Sequence, residues 1–250
     1  MYGWRGRIGL LVPATDSVCE TEFHRLLPEG VSVHTERMMI LPDISKEDTL
    51  VDWDEAHQIM HSDCMRAAKI LAGVEVNVVV FGCTSGGFAG GMDCEDEICK
   101  RIEDSIPLLR GRDSVVTTSR AVKDALRIMG IRKVGVATPY IDKGNDQEKF
   151  FLEASGFEVL EIAGLGIGNL VEYGKVNPSS IYKLAKKVNR DDVEGIFISC
   201  TDFRALDIIE TLEKDIGKPV VTSNQAAFWL ALKKLGVSEP IKGYGALLQK

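Results

Sequence analysis

A chain of 250 residues, 45% hydrophobic and 27% charged, has apolar mass enough for one large core or two ordinary ones. Its net charge of −7 argues against a nucleic-acid surface, and no apolar run approaches the ~18 residues of a membrane span. The opening residues lack a signal-peptide pattern, so the cytoplasm is the expected location and the six cysteines are expected to be free thiols.

In chain order, residues 7–13 read as a strand ending at Pro13, followed by the loop Ala14-Thr15-Asp16-Ser17 with good helix N-cap residues. A helix through Glu20, Phe23 and Leu26 leads to an alternating strand over residues 31–38, and an amphipathic segment over about residues 53–71 follows. The β-branched run 77–81 closes on Gly82-Cys83-Thr84-Ser85. Helical spacing over 93–106 and a short strand over 114–117 come next. The pattern then begins again. Residues 133–139 form a strand ending at Pro139, the loop holds Tyr140, Asp142 and Asn145, and a helix is predicted over 146–155. A strand over 157–162, a helix over 179–188 and a strand over 195–199 bring the chain to Cys200-Thr201-Asp202. Residues 218–224, a helix through Phe228 and Leu235 and the tail Gly243-Tyr-Gly245 complete it. Strands alternating with helices, twice over, predict an α/β fold of two similar units.

Cys83 and Cys200 each close an apolar run and precede threonine, which places both thiols at carboxyl-terminal strand ends, where open α/β sheets bind ligands. Nearby backbone N–H groups are expected to lower their pKa values. Cys19, Cys64, Cys94 and Cys99 read as small buried hydrophobes. No C-x-x-C pair exists, so a structural zinc is not expected from the cysteines. The turn Thr84-Ser85-Gly86-Gly87 offers hydroxyls and approachable amides for an anion, whereas Gly164, Gly166 and Gly168 lack the spacing of a dinucleotide fingerprint. His57 and His61, at i and i+4, read as a solvated helix face, which leaves thiol paired with thiol as the preferred chemistry.

With these pieces in place, the chain resembles the maleate cis–trans isomerase and arylmalonate decarboxylase branch of the Asp/Glu/hydantoin racemase superfamily. The likeness runs through Gly9-Leu-Leu-Val-Pro-Ala-Thr-Asp16, Gly82-Cys-Thr-Ser-Gly-Gly-Phe88, Ala137-Thr-Pro-Tyr-Ile-Asp142, Ser199-Cys-Thr-Asp-Phe-Arg204, Gly217-Lys-Pro-Val-Val-Thr-Ser-Asn224 and the Gly243-Tyr-Gly245 tail. It implies two flavodoxin-like three-layer units with parallel sheets, related by pseudo-twofold symmetry, with the active site between them. Residues 1–110 with 219–250 would form the first unit and 111–218 the second. It also implies a small carboxylate substrate, no cofactor, no metal, and a homo-oligomer of two or more copies. In the decarboxylases the position matching Cys83 is glycine, so the pair here disfavours decarboxylation.

For a maleate isomerase, Cys83 would add to the alkene and Cys200 would supply and remove a proton. Thr84, Ser85, Tyr140, Asn169 and Thr201 would hold the carboxylates. One departure bears on the substrate. Asp16 and Asp202 stand where the isomerases usually carry asparagine. Two carboxylates repel a dianion unless protonated, and would welcome an ammonium group. An amino-acid or hydantoin racemase with the two cysteines as acid and base is therefore the alternative, followed by a non-catalytic small-acid binding protein.

Overall fold

The computed structural model describes residues 2–43 and 51–250. β1 (Gly6–Pro13), β2 (Val31–Met38), β3 (Val78–Phe81) and β4 (Val115–Thr117) form one parallel sheet in the order β2-β1-β3-β4. β5 (Lys133–Thr138), β6 (Glu158–Gly164), β7 (Gly195–Ile198) and β8 (Val220–Thr222) form a second in the order β6-β5-β7-β8. The same permutation is used twice. Within each sheet the order reverses beside the first strand, which puts a switch point between β1 and β3 and another between β5 and β7. Crevices at such points, beyond the carboxyl ends of the strands, are where ligands bind.

The central strands are continuous apolar runs because they are covered on both faces. Ile8, Leu10, Leu11 and Val12 of β1 are all fully buried, as are Val78 to Phe81 of β3. The helices are α1 (Cys19–Leu26), α2 (Trp53–Leu71), α3 (Cys94–Ser105), α4 (Thr118–Ile128), α5 (Asp142–Ala154), α6 (Pro178–Lys187), α7 (Ile209–Ile216) and α8 (Ser223–Lys234). Strand ends double as caps. The Thr117 hydroxyl accepts from Arg120 N to start α4, and Thr222 with Gln225 forms a capping box at the start of α8.

Two expectations need correction. The division at 110/111 and 218/219 falls before β4 and β8, yet β4 pairs with β3 in the first sheet and β8 with β7 in the second. Each short strand completes the sheet it follows. The chain changes partners one step later, at the helices α4 and α8, which pack on each other. α8 lies against β3, β4 and α1, with Phe228 edge-on to Phe23 at 5.1 Å between ring centroids. The second correction concerns α5, which begins at Asp142 rather than 146. Its early turn holds Gly144, where a Cβ would meet the Trp53 ring at 2.8 Å. The missing side chain lets α2 of the first unit close against α5 of the second, where Trp53 Nε1 donates to Gln147 Oε1 at 2.7 Å.

Glu22 on α1 and Glu148 on α5 stand at matching offsets from Pro13 and Pro139, and both are buried. Glu22 accepts from Leu206 N and Asn224 Nδ2, and Glu148 accepts from Ser199 Oγ at 2.6 Å. Burial pushes Glu148 up to about 8 from an ordinary 4.5. Between those two values the folded chain holds a proton that the unfolded chain has lost, so stability falls as pH rises, by about 1.4 kcal/mol per unit. Glu148→Gln should therefore be more stable than the parent by a margin that grows from pH 5 to 8 and then levels off. Urea melts across that range would show parallel curves if the idea were wrong.

Candidate active site

One cavity opens where the two switch points meet. Cys83 and Thr84 enter it from the end of β3, and Cys200, Thr201 and Asp202 from the end of β7. The loops after β1 and β5 contribute Asp16 and Tyr140. Ser85 completes the set, so eight of the nine side chains expected from sequence line a single cavity. Asn169 does not line it. Its carboxamide oxygen caps the 3₁₀ turn at 170–175 by accepting from Val171 N, and it is the neighbouring Leu170 and Tyr173 that reach the cavity.

Burial dominates the thiols. It pushes Cys83 up to about 11, against the opposing pull of the Gly86 N–H. Cys200 is driven well above the ordinary range by burial first and by the Asp202 charge second. The expected lowering by backbone N–H groups is present and outweighed. Both cysteines are neutral thiols in the closed site, and Cys83 raises the cost of ionising Cys200. Cys200 also has φ +94°, a conformation that side chains rarely adopt, with its N–H held by Ser223 Oγ at 3.0 Å.

His57 was expected on a solvated face, and it is 5% exposed. It lies on the buried stripe of α2 with Trp53, Met60, Cys64 and Ala67, a 3–4 spacing that the sequence contains and that its polar ring disguised. Its Nδ1 lies 2.6 Å from the Trp53 carbonyl and its Nε2 2.8 Å from Ser85 Oγ. A carbonyl only accepts, so Nδ1 carries the hydrogen. Burial depresses His57 to about 4, which leaves Nε2 as an acceptor for the Ser85 hydroxyl. The single Ser85 proton is thereby committed, and Oγ faces Cys83 Sγ, 3.7 Å away, with its lone pairs. The Thr84 hydroxyl is likewise committed, donating to Ser223 Oγ at 2.8 Å. For an anion this turn offers the backbone N–H groups of Thr84 and Ser85, since Gly87 N–H donates to the Thr84 carbonyl and Gly86 N–H serves Cys83, and the hydroxyls work behind them.

The far wall is acidic. Asp202 Oδ1 accepts from Ser17 N at 2.8 Å and Ser17 Oγ at 3.1 Å, and Oδ2 accepts from Gly174 N at 3.0 Å. A Cβ on Gly174 would lie 2.7 Å from Asp202 Oδ1, so glycine is what allows that approach. Asp16 Oδ1 accepts from Val18 N and Cys19 N, at 2.9 and 2.8 Å. Asp16 is pushed upward by burial, and Asp202 by burial and then by the Asp16 charge. The Thr201 hydroxyl favours ionised Asp16 without a hydrogen bond of normal geometry to Oδ2.

The sequence model of the arylmalonate decarboxylase family matches residues 8–248. The chain belongs to the arylmalonate decarboxylase family. Within it, the chain is 26% identical to a maleate isomerase of Alcaligenes faecalis over 251 residues, which covers 97% of this chain and 96% of that protein. It is 33% identical to the arylmalonate decarboxylase of Bordetella bronchiseptica over 137 residues, 54% of this chain and 57% of the relative. In structure, this family member is similar to a cysteine-to-serine mutant of the Nocardia farcinica maleate cis–trans isomerase with a covalently bound succinylcysteine intermediate. That match has a TM-score of 0.89, 22% identity and 98% of both chains covered. The crystal structure of an arylmalonate decarboxylase gives a TM-score of 0.78 at 26% identity, over 97% of this chain and 98% of that one. No helix among the described residues of this family member is long and apolar enough to cross a membrane.

Proposed function

We propose that the chain is a cofactor-independent cis–trans isomerase of maleate or a related small unsaturated dicarboxylate, with Cys83 as nucleophile and Cys200 as acid and base. The observation that carries this reading is that one thiol from each unit lines the same cavity. Cys83 passes its proton to Ser85 Oγ as the Ser85 hydrogen moves to His57 Nε2, and the thiolate adds to one alkene carbon. The electron pair of the double bond moves to the neighbouring carbon, which takes a proton from Cys200. The adduct now has a carbon–carbon single bond and rotates. Cys200 thiolate removes the proton, the carbon–sulfur bond breaks, and the trans isomer leaves with Cys83 again a thiolate. Tyr140, Thr201 and the N–H groups of Thr84 and Ser85 hold the carboxylates. Asn169 acts at a remove, by shaping the turn that presents Leu170 and Tyr173. A cytoplasmic homo-oligomer is part of the reading, and light scattering tests the assembly.

The acidic wall of Asp16 and Asp202 favours a second reading, racemisation of an amino acid whose ammonium group would pair with it. A single panel separates the two. Maleate should give fumarate, while aspartate, glutamate and hydantoins should show neither inversion nor α-deuteration in D₂O. Inversion with α-deuterium, without fumarate from maleate, would replace the first reading by the second.

A further inference from the structure

Asp16 Oδ2 is a buried oxygen with no hydrogen-bond partner among the described residues, on a side chain 4% exposed in the cavity wall. The two carboxylates of that wall are provided for unequally. Asp202 receives three donors, spread over both oxygens, and those favour its ionised form. Asp16 receives two donors, both on Oδ1, and the nearby Thr201 hydroxyl makes no hydrogen bond of normal geometry to Oδ2. A bare anionic oxygen facing a second carboxylate in a closed site is the costliest arrangement available to the pair. A hydrogen on Oδ2 removes that cost and turns the oxygen from an unsatisfied acceptor into a donor.

The surrounding charges do not reverse this balance. From α1, Glu22 and Cys19 face Asp16, and from the β3 and β7 loops come Cys83, Cys200 and Asp202; every one of these is neutral or negative. β2 supplies a cation acting on Asp16, Arg37, which donates to the Asp16 backbone carbonyl at 2.6 Å and to the Glu20 carboxylate at 3.2 Å. Its charge is already shared with another acid.

We propose that the resting site holds Asp16 as a neutral acid with its hydrogen on Oδ2, and that this hydrogen is donated to one carboxylate of the substrate. This deepens the isomerase reading and rests on it. The site then takes a dianion together with one proton, and its acidic wall selects a dicarboxylate instead of repelling it.

Succinate is a suitable probe, since it is saturated, unreactive and fully ionised above pH 7. Its Kd, measured by calorimetry from pH 6.5 to 9.5, should be flat at the low end and then rise tenfold per pH unit once the free site loses its proton. On the rising limb, titrations in buffers of different ionisation enthalpy should register one proton taken up per succinate bound. Asp16→Asn, whose amide donates without titrating, should bind succinate with a flat Kd and no proton uptake. Succinate binding with no pH slope in the parent, or an equal slope in Asp16→Asn, would overturn the proposal and leave the isomerase reading standing. Loss of succinate binding in a folded Asp16→Asn would likewise overturn it. If the parent bound no succinate and instead bound aspartate more tightly as pH rose, proposal and isomerase reading would fall together.

Discussion

Cys83→Ala is expected to give no measurable isomerisation, a loss beyond the ~10²–10⁴-fold that removing a general acid or base typically costs. The reason is that the nucleophile is one atom, and the other thiol in the cavity, Cys200, is needed as acid and base at the neighbouring carbon. Cys19, Cys64, Cys94 and Cys99 are buried but line no part of the cavity, so alanine at any of them should leave turnover largely intact. The buried thiol also has a pH signature. With Cys83 near 11, its alkylation by iodoacetamide in the ligand-free protein should climb steadily through pH 9, with no plateau near the ordinary thiol value. Mass spectrometry after maleate treatment locates the bond. Wild-type turnover in Cys83→Ala, or a substrate adduct on any other cysteine, would remove Cys83 from the role proposed for it.

Cys200→Ala should fall differently, by ~10²–10⁴-fold, because water can replace a proton donor more readily than a nucleophile. Addition would still occur in this variant, while elimination would lack its base. A Cys83 adduct one substrate mass heavier should therefore accumulate in Cys200→Ala and be absent from Cys83→Ala. A Cys200→Ala enzyme that turns over at the parent rate without accumulating adduct would assign the proton to another group.

The fold was legible where local sequence decides it. Strands buried on both faces, such as Val78-Val-Val-Phe81, announce themselves as unbroken apolar runs, and the Pro-ended and Cys-ended strands revealed the repeat. The crossings were not legible in the same way. Val115-Val-Thr117 and Val220-Val-Thr222 carry identical residues in opposite sheets. Which sheet each joins is settled by contacts far along the chain. The strand-end cysteines and their neighbours were readable for the same reason as the strands. Asn169 was misplaced because a turn between regular elements has no periodicity to fix which residue faces the cavity. His57 and the raised thiol pKa values share another cause. Both depend on how completely water is shut out, which becomes visible only when α2 of one unit is seen closing against α5 of the other.

The backbone at Cys200 carries a further implication. A side chain held at φ +94° costs of the order of 1–3 kcal/mol, and glycine would adopt the same conformation almost freely. A redesign guided by folding free energy alone would therefore select glycine at position 200 early, and the purified product would melt later than its parent. It would also have traded away the proton donor. A residue that weakens this chain is one its proposed chemistry cannot surrender, so thermal tolerance and turnover pull against each other at a single peptide unit.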